Sequence, residues 1–164
     1  MSTLLQDRTT LHVCEVEDKA PIERGNVYIA PADYHLLIDG SNLALSLDAP
    51  VRYSRPSIDV TFGSAADRYG AATVGVVLTG ANADGASGLR RIADRGGLAV
   101  VQRPDDAESP TMPQAALASV PNAVVLGLLE IGPFLADAVR SPAPTRATAR
   151  RGASEAPAPR GAAS

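Results

Sequence analysis

Residues 73–101 decide the fold: TVGVVLTGANADGASGLRRIADRGGLAVV. The segment opens with Thr73–Leu78, a nearly continuous apolar run of the kind found in strands that are covered on both faces. Four apolar residues then recur at helical spacing on one face: Ala86, Leu89, Ile92 and Ala93. Gly96-Gly97 ends this helix, and Leu98–Val101 forms a second apolar run. The order of strand, loop, helix, tight turn and strand predicts a compact βαβ unit with parallel strands.

The chain before this unit contains four shorter strand candidates and one helix. The strand candidates are Leu11–Val16, Asn26–Ala30, Tyr34–Ile38 and Leu43–Leu47. Asp39-Gly40-Ser41-Asn42 separates the last two strands and is typical of a hairpin turn. Proline is favoured in a first helical turn, so the helix is predicted to begin near Pro56, and Gly70 ends it.

The alternation of helices and strands continues after the unit, with a helix around Met112–Ser119, a strand at Ala123–Leu126 and a helix at Leu129–Arg140. We therefore predict an α/β fold: a doubly wound, mostly parallel sheet in a Rossmann-like three-layer arrangement, with an inserted β-hairpin. Such a sheet usually opens with a strand and a helix. This chain opens with a helix remnant and an isolated strand, so the first strand and helix of the fold are expected to be missing.

Composition restricts the class of protein. The 164 residues correspond to about one domain. The single cysteine excludes a disulfide scaffold and a cysteine-based zinc site. No apolar run reaches the ~18 residues needed to cross a bilayer, and the first residues, MSTLLQDRTT, lack the features of a secretory signal. A cytoplasmic protein without membrane insertion is therefore expected.

Charge and composition divide the chain at residue 140. Residues 141–164 carry four arginines and one glutamate, which gives +3, whereas residues 1–140 carry 11 basic and 17 acidic side chains, which gives −6. An acidic body argues against a nucleic-acid partner. Residues 141–164 contain no valine, isoleucine, leucine or aromatic residue, so they are expected to form a disordered, solvated tail after a domain spanning residues 1–140.

The loop between the first strand and the helix of the βαβ unit has the residues best suited to chemistry, because ligands collect at the carboxyl edge of a parallel sheet. Three interpretations are open. Gly80 and Gly85 have the spacing of a phosphate loop, but Ala86 stands where the phosphate-binding lysine belongs. Asp84 fits a cap of the helix that follows it. Asp84 also fits the carboxylate that orients a histidine in a Ser-His-Asp triad.

Four segments, in the same order, resemble the CheB-type chemotaxis methylesterases over about residues 5–140. Leu78–Leu89, LTGANADGASGL, is similar to the family pattern L-T-G-M-G-x-D-G-x-x-G-L. The other three are Tyr28–Leu36 (YIAPADYHL, similar to A-P-x-D-x-H-L), Arg55–Phe62 (RPSIDVTF, similar to R-P-S-V-D-x-L-F), and Met112-Pro113 followed by Ala115-Ala116 (similar to G-M-P-x-x-A). The order and number of the segments make the resemblance specific.

The resemblance implies a cytosolic enzyme that hydrolyses glutamyl methyl esters on chemoreceptors, and in some members deamidates receptor glutamines. It implies a Ser-His-Asp mechanism in which Asp84 matches the triad aspartate. The implied partner is the cytoplasmic region of a methylated chemoreceptor, with a receiver domain on a separate chain or on a missing upstream segment. No metal and no organic cofactor are implied.

The rest of the triad is absent from the sequence. The family's nucleophile lies in a G-x-S-x-G-G turn and its triad histidine in a Gln-His-Met/Leu string, and neither string occurs here. This chain by itself is therefore expected to be inactive. Two explanations remain: an amino-terminally truncated methylesterase, or a degenerate module that binds receptors or a partner hydrolase. A nucleotide-binding α/β domain is disfavoured by Ala86 and by the lack of G-x-G-x-x-G.

Several residues are candidates to replace the missing nucleophile and base. Ser87 lies outside a G-x-S-x-G turn, and His35 matches the hairpin histidine of the family, for which a structural role is favoured. His12 and Cys14 share one face of a strand, but a buried thiol beside a surface imidazole is the simpler interpretation.

Three further residues of the family segments have open or altered roles. Ala81 replaces a methionine of the family loop and so removes a bulky group beside the site. Arg55 and Asp59 are interpreted either as lining a cleft or as pairing with each other near the helix start.

Overall fold

The computed structural model describes residues 2–140 and divides the chain into two compact units, one up to Leu128 and one from Leu129 onward. The helices are α1 (Ser2–Gln6), α2 (Ile58–Tyr69), α3 (Ala86–Asp94), α4 (Thr111–Ser119) and α5 (Leu128–Arg140). The strands are β1 (His12–Glu15), β2 (Asn26–Ile29), β3 (His35–Asp39), β4 (Asn42–Ser46), β5 (Val74–Val77), β6 (Leu98–Gln102) and β7 (Val124–Leu126). The tail predicted for residues 141–164 lies outside the described residues.

The strands form three sheets. In the largest, β5, β6 and β7 are parallel with β6 in the middle, and Val100 pairs with both Val76 and Val124. The hairpin of β3 and β4 is antiparallel, and β1 pairs with β2 in parallel. The α/β fold with parallel strands and an inserted hairpin is confirmed. The first strand is not isolated as predicted, because its partner β2 lies 14 residues further along (His12↔Asn26), a separation that local sequence patterns do not reveal.

The core of the larger sheet explains why residues 73–101 have their pattern. Val100 and Val101 on β6 are fully buried, because this central strand is covered on both faces. Leu89 and Ile92 on α3 are also fully buried, as their spacing of three residues predicts for one helix face. The end of β5 therefore packs against a layer of buried apolar side chains.

Helices α2 and α3 approach each other closely at Gly88. A Cβ atom on Gly88 would lie 2.6 Å from Cβ of Phe62 and 3.0 Å from Cα of Asp59, so only glycine fits there. The close approach sets the amino-terminal turns of the two helices side by side. It is this packing that positions the candidate site.

The hairpin has a small apolar core of its own that includes Leu36 and Leu43, and hydrogen bonds attach it to α2. The Thr61 hydroxyl donates to the carbonyl of Leu36 at 2.8 Å, and the backbone N–H of Ile38 donates to the Ser64 hydroxyl at 3.0 Å. These bonds place His35, the first residue of β3, beside the start of α2.

A helix needs about 20 predominantly apolar residues to cross a bilayer. Among residues 2–140 no helix combines the necessary length with enough apolarity.

Candidate active site

Asp84 lies in the loop after β5 and is 3% exposed. Its Oδ1 accepts hydrogen bonds from the Ser57 hydroxyl at 2.8 Å, from the N–H of Asp59 at 3.0 Å and from the N–H of Gly85 at 3.0 Å. Its Oδ2 accepts one from the N–H of Ile58 at 2.7 Å. Two free N–H groups of the first turn of α2 are thereby satisfied, and the helix dipole favours a negative charge at this end.

The prediction that Asp84 caps the helix that follows it is therefore wrong. Gly85, the residue before α3, has a φ of 90°, which turns the chain so that the Asp84 side chain points to α2. Left-handed backbone of this kind favours glycine, and a Cβ on Gly85 would lie 2.9 Å from Ile58.

Asp59 caps α3 in return. Its Oδ1 accepts a hydrogen bond from the N–H of Gly88 at 2.7 Å, and its Oδ2 lies 3.6 Å from Nε of Arg52. The interpretation that Asp59 pairs with Arg55 is wrong, because the guanidinium of Arg55 donates instead to the carbonyls of Leu47 and Asp48, at 2.9 and 3.1 Å. The first turn of α2 is thus capped by the carboxylate of Asp84, which lies in the loop before α3. The first turn of α3 is capped by the carboxylate of Asp59, which lies on α2.

His35 is buried and has a structural role in this arrangement. Its Nδ1 accepts from the backbone N–H of Ser57 at 3.2 Å, so Nε2 is the protonated nitrogen and donates to the carbonyl of Ala49 at 3.2 Å. The proton position is assigned from this hydrogen-bond network. The Ser57 hydroxyl donates to Asp84 and not to an imidazole. A serine, a histidine and an aspartate therefore meet here without the connectivity of a catalytic triad.

The other substitutes that the sequence offered do not complete the site. Ser87 is exposed on α3, and His12 is exposed on β1. Cys14 is partly buried and lines a cavity of about 180 Å³ together with Tyr28. None of these side chains is among the hydrogen-bond partners of Asp84 given above.

The loop that carries Asp84 is fixed at its other end by α4 and β6. The N–H of Gly80 donates to the carbonyl of Ser109, and the N–H of Met112 donates to the carbonyl of Gly80, both at 3.0 Å. The buried side chain of Gln102 accepts from the N–H of Thr79 at 2.9 Å. A Cβ on Gly80 would lie 2.6 Å from Cε of Met112, so the Met112 side chain packs directly against the backbone at that point.

Sequence reasoning did not identify Ser57 or Gln102 as parts of the site. Serine immediately before a helix is a recognisable capping signal, although here its hydroxyl binds the carboxylate of a distant loop. Gln102 was recognisable as a polar residue at the end of an apolar strand. Within residues 2–140, no three side chains of the kind that ligate metals come together.

Comparison with known proteins gives one consistent family. The model of the CheB methylesterase family matches residues 1–135. The CheB methylesterase catalytic domain of Thermotoga maritima superposes with a TM-score of 0.78 at 29% identity, and the match covers 82% of this chain and 73% of that domain.

Curated relatives agree with this match. A Leptospira interrogans member is 44% identical over 129 residues, which is 78% of this chain and 67% of the relative. The protein-glutamate methylesterase FrzG of Myxococcus xanthus is 39% identical over 134 residues, which is 80% of this chain and 40% of FrzG. A protein-glutamate methylesterase/protein-glutamine glutaminase of Nocardioides is 41% identical over 127 residues, 74% of this chain and 34% of that protein. The chain thus spans about two thirds or less of these relatives.

Proposed function

Because this chain belongs to the CheB methylesterase family, we propose that it supplies the aspartate of a Ser-His-Asp hydrolase acting on glutamyl methyl esters of chemoreceptors. The partner would be the cytoplasmic region of a methylated receptor. Glutamine side chains would be a second substrate, as the names of the Leptospira and Nocardioides relatives indicate for those proteins. Asp84 is the residue to which we assign the role. The serine and the histidine would come from polypeptide other than the described residues.

The chemistry follows from the roles of the three groups. The serine hydroxyl attacks the γ-carbonyl carbon and passes its proton through the histidine to the departing methanol. Water then hydrolyses the acyl-enzyme and leaves a free glutamate. The aspartate accepts the Nδ1–H of the histidine and thereby holds the imidazole in the tautomer that can accept the serine proton.

One observation supports Asp84 in this role: its two oxygens are unequally occupied. Oδ1 has three donors, whereas the one donor to Oδ2 from the described residues is the N–H of Ile58. Each carboxylate oxygen has about two lone-pair directions, so those of Oδ1 are shared among three donors, whereas Oδ2 has one direction left for an imidazole N–H. The four existing donors would keep the carboxylate in one orientation, as an orienting group requires.

The test is methanol release from a methylated receptor cytoplasmic fragment. The 164-residue chain would be assayed alone and after fusion to the part of the Leptospira relative that lies outside the match. We expect no release by the chain alone and measurable release by the fusion. Asp84→Asn in the fusion should lower the rate by about 10³–10⁴-fold, because the tautomer control is lost. If the fusion that carries Asp84→Asn releases methanol as fast as the unaltered fusion, the assignment of Asp84 to the triad is refuted.

The second candidate is a module that binds receptors or a partner hydrolase without turnover. It is favoured by the same four hydrogen bonds, which by themselves give Asp84 a sufficient structural role as the cap of α2. Receptor binding by the chain, combined with a fusion that releases no methanol although circular dichroism reports it folded, would favour this candidate.

A further inference from the structure

The segment before α2 makes a tight turn whose conformation its residues do not favour. Val51 and Ser54 exchange two backbone hydrogen bonds, at 3.1 and 2.8 Å, across the central residues Arg52 and Tyr53. These central residues have φ values of 49° and 65°. Two successive left-handed residues are usually asparagine and glycine in such turns, because other side chains are strained there. Stability alone therefore does not account for an arginine and a tyrosine at this turn.

The turn is fixed directly beside the candidate site. Arg52 pairs with Asp59, the cap of α3, and the Ser54 hydroxyl accepts a hydrogen bond from the Asn82 amide in the Asp84 loop at 3.4 Å. Tyr53 precedes Ser57 by four residues, so their Cα atoms lie at most about 14 Å apart. Ser57 in turn donates to Asp84.

The segment leading into the turn is held by the bonds of His35 and Arg55 described above, which end on the carbonyls of Leu47, Asp48 and Ala49. Because these anchors are backbone contacts, the side chains of the segment are left to face outward. Leu47 is 66% exposed and Tyr53 is fully exposed.

The exposed groups have the chemistry of a protein-binding surface. Tyrosine and arginine are over-represented among the residues that dominate binding energy. Tyrosine buries a large area at a low entropic cost, and the arginine guanidinium presents five N–H donors in a fixed planar geometry. Half of the Arg52 side chain is exposed. Arg55 is directed at the carbonyls of Leu47 and Asp48, so Arg52 is the exposed cation of residues 47–55. Nε of Arg52 lies 3.6 Å from Asp59, and its Nη groups are the donors left for a partner carboxylate. The surface therefore combines apolar side chains with one exposed guanidinium at the edge of the site.

We propose that this surface, defined by Leu47, Arg52 and Tyr53 and called here the docking turn, binds the polypeptide on which the glutamyl ester is carried. The partner is a segment in which the esterified glutamate is flanked by free glutamates, since Arg52 attracts carboxylates while Tyr53 and Leu47 cover the apolar stems of the side chains. The proposal rests on the proposed function and extends it from the reacting group to its neighbours.

Peptide binding tests the docking turn independently of turnover. The probe is a fluorescent peptide with one γ-methyl glutamyl ester and two free glutamates on each side, and its binding to the 164-residue chain is measured by fluorescence anisotropy. We expect the double variant Arg52→Ser/Tyr53→Ala to raise the Kd about 10-fold or more. A second peptide, with the four flanking glutamates replaced by glutamine, should bind more weakly, and Arg52→Ser should weaken its binding little further.

The chain offers a matched control in Arg68 and Tyr69, the same dipeptide at the other end of α2. The guanidinium of Arg68 stacks on the Tyr69 ring with 5.3 Å to its centroid, and Tyr69 is partly exposed. Arg68→Ser/Tyr69→Ala should change the Kd less than twofold. Circular dichroism of both double variants would establish that they fold.

Three results would overturn the docking turn: no binding by the unaltered chain, an equal loss in both double variants, or no loss in the Arg52/Tyr53 variant. Its fate is separable from that of the triad assignment. If methanol release depends on Asp84 but peptide binding is unchanged by Arg52→Ser/Tyr53→Ala, only the docking-turn proposal is refuted. If peptide binding is weakened by Arg52→Ser/Tyr53→Ala but methanol release does not depend on Asp84, only the triad assignment of Asp84 is refuted.

Discussion

Two neighbouring segments, the turn at residues 51–54 and the start of α2 at Ser57, differ in how far their residues contact other parts of the chain. At the start of α2, buried donors and carboxylates satisfy one another, and side chains such as Asp84 have several partners each. In the turn, two residues adopt strained backbone and Tyr53 contacts mainly solvent. Stability therefore explains the contacts at the start of α2, whereas the conformation of the turn requires a reason outside the folded chain.

Removal of the shared cap should have the largest effect on stability. Asp84→Ala leaves the N–H groups of Ile58 and Asp59 without their acceptor in a buried site, so the free energy of unfolding should fall by about 3 kcal/mol. Urea denaturation followed by circular dichroism measures it. Asp94→Ala, which removes an exposed carboxylate paired with Arg90, is the control and should cost less than about 0.5 kcal/mol. Equal effects of the two substitutions would contradict the capping role.

The contact between α2 and α3 should be the next most sensitive. Gly88→Ala forces a methyl group to 2.6 Å from Phe62 and should lower the free energy of unfolding by about 2 kcal/mol. Gly63→Ala is the matched control, since its new Cβ would meet only the Arg91 side chain, at 3.6 Å. Alanine is the better helix former, so this variant should gain up to about 1 kcal/mol. Thermal melts compare the two, and a stabilised Gly88→Ala would show that the helices can separate freely.

Loss of a single hydroxyl should have a smaller effect. Ser57→Ala removes one donor to Asp84 but keeps the backbone N–H that contacts His35, so the expected loss is about 1 kcal/mol. Ser87→Ala on the exposed face of α3 should be neutral or slightly stabilising. Chemical denaturation of both proteins measures the difference. Identical midpoints would mean that the bond between Ser57 and Asp84 contributes nothing to stability.

Relief of strain in the turn should give the smallest change, with the opposite sign. Arg52→Asn/Tyr53→Gly places residues that tolerate left-handed backbone at both positions, so the free energy of unfolding should rise by about 0.5 kcal/mol. The same protein should bind the glutamyl-ester peptide less tightly. Together, higher stability and weaker binding would sharpen the contrast between the two segments. A destabilised variant would instead assign the turn a structural role.

The sequence predicted most of the secondary structure and the position of Asp84. Apolar periodicity is a local property, and it correctly indicated β5, α3 and β6 because these elements bury the faces that their spacing defines. The family resemblance, also carried by local segments, is confirmed by the family and structural comparisons. The role of Asp84 in catalysis stays a prediction.

By itself, the sequence determined which segments are helices and strands, because backbone preference and apolar spacing act over a few residues. Three contacts become evident only when the folded chain is considered: Asp84 caps α2, Asp59 caps α3 and His35 binds Ser57. Each of these contacts joins residues more than 20 positions apart, and several donors compete for each carboxylate. The donors that form hydrogen bonds to each carboxylate are set by how the helices pack at Gly88, and packing is a property of the whole fold.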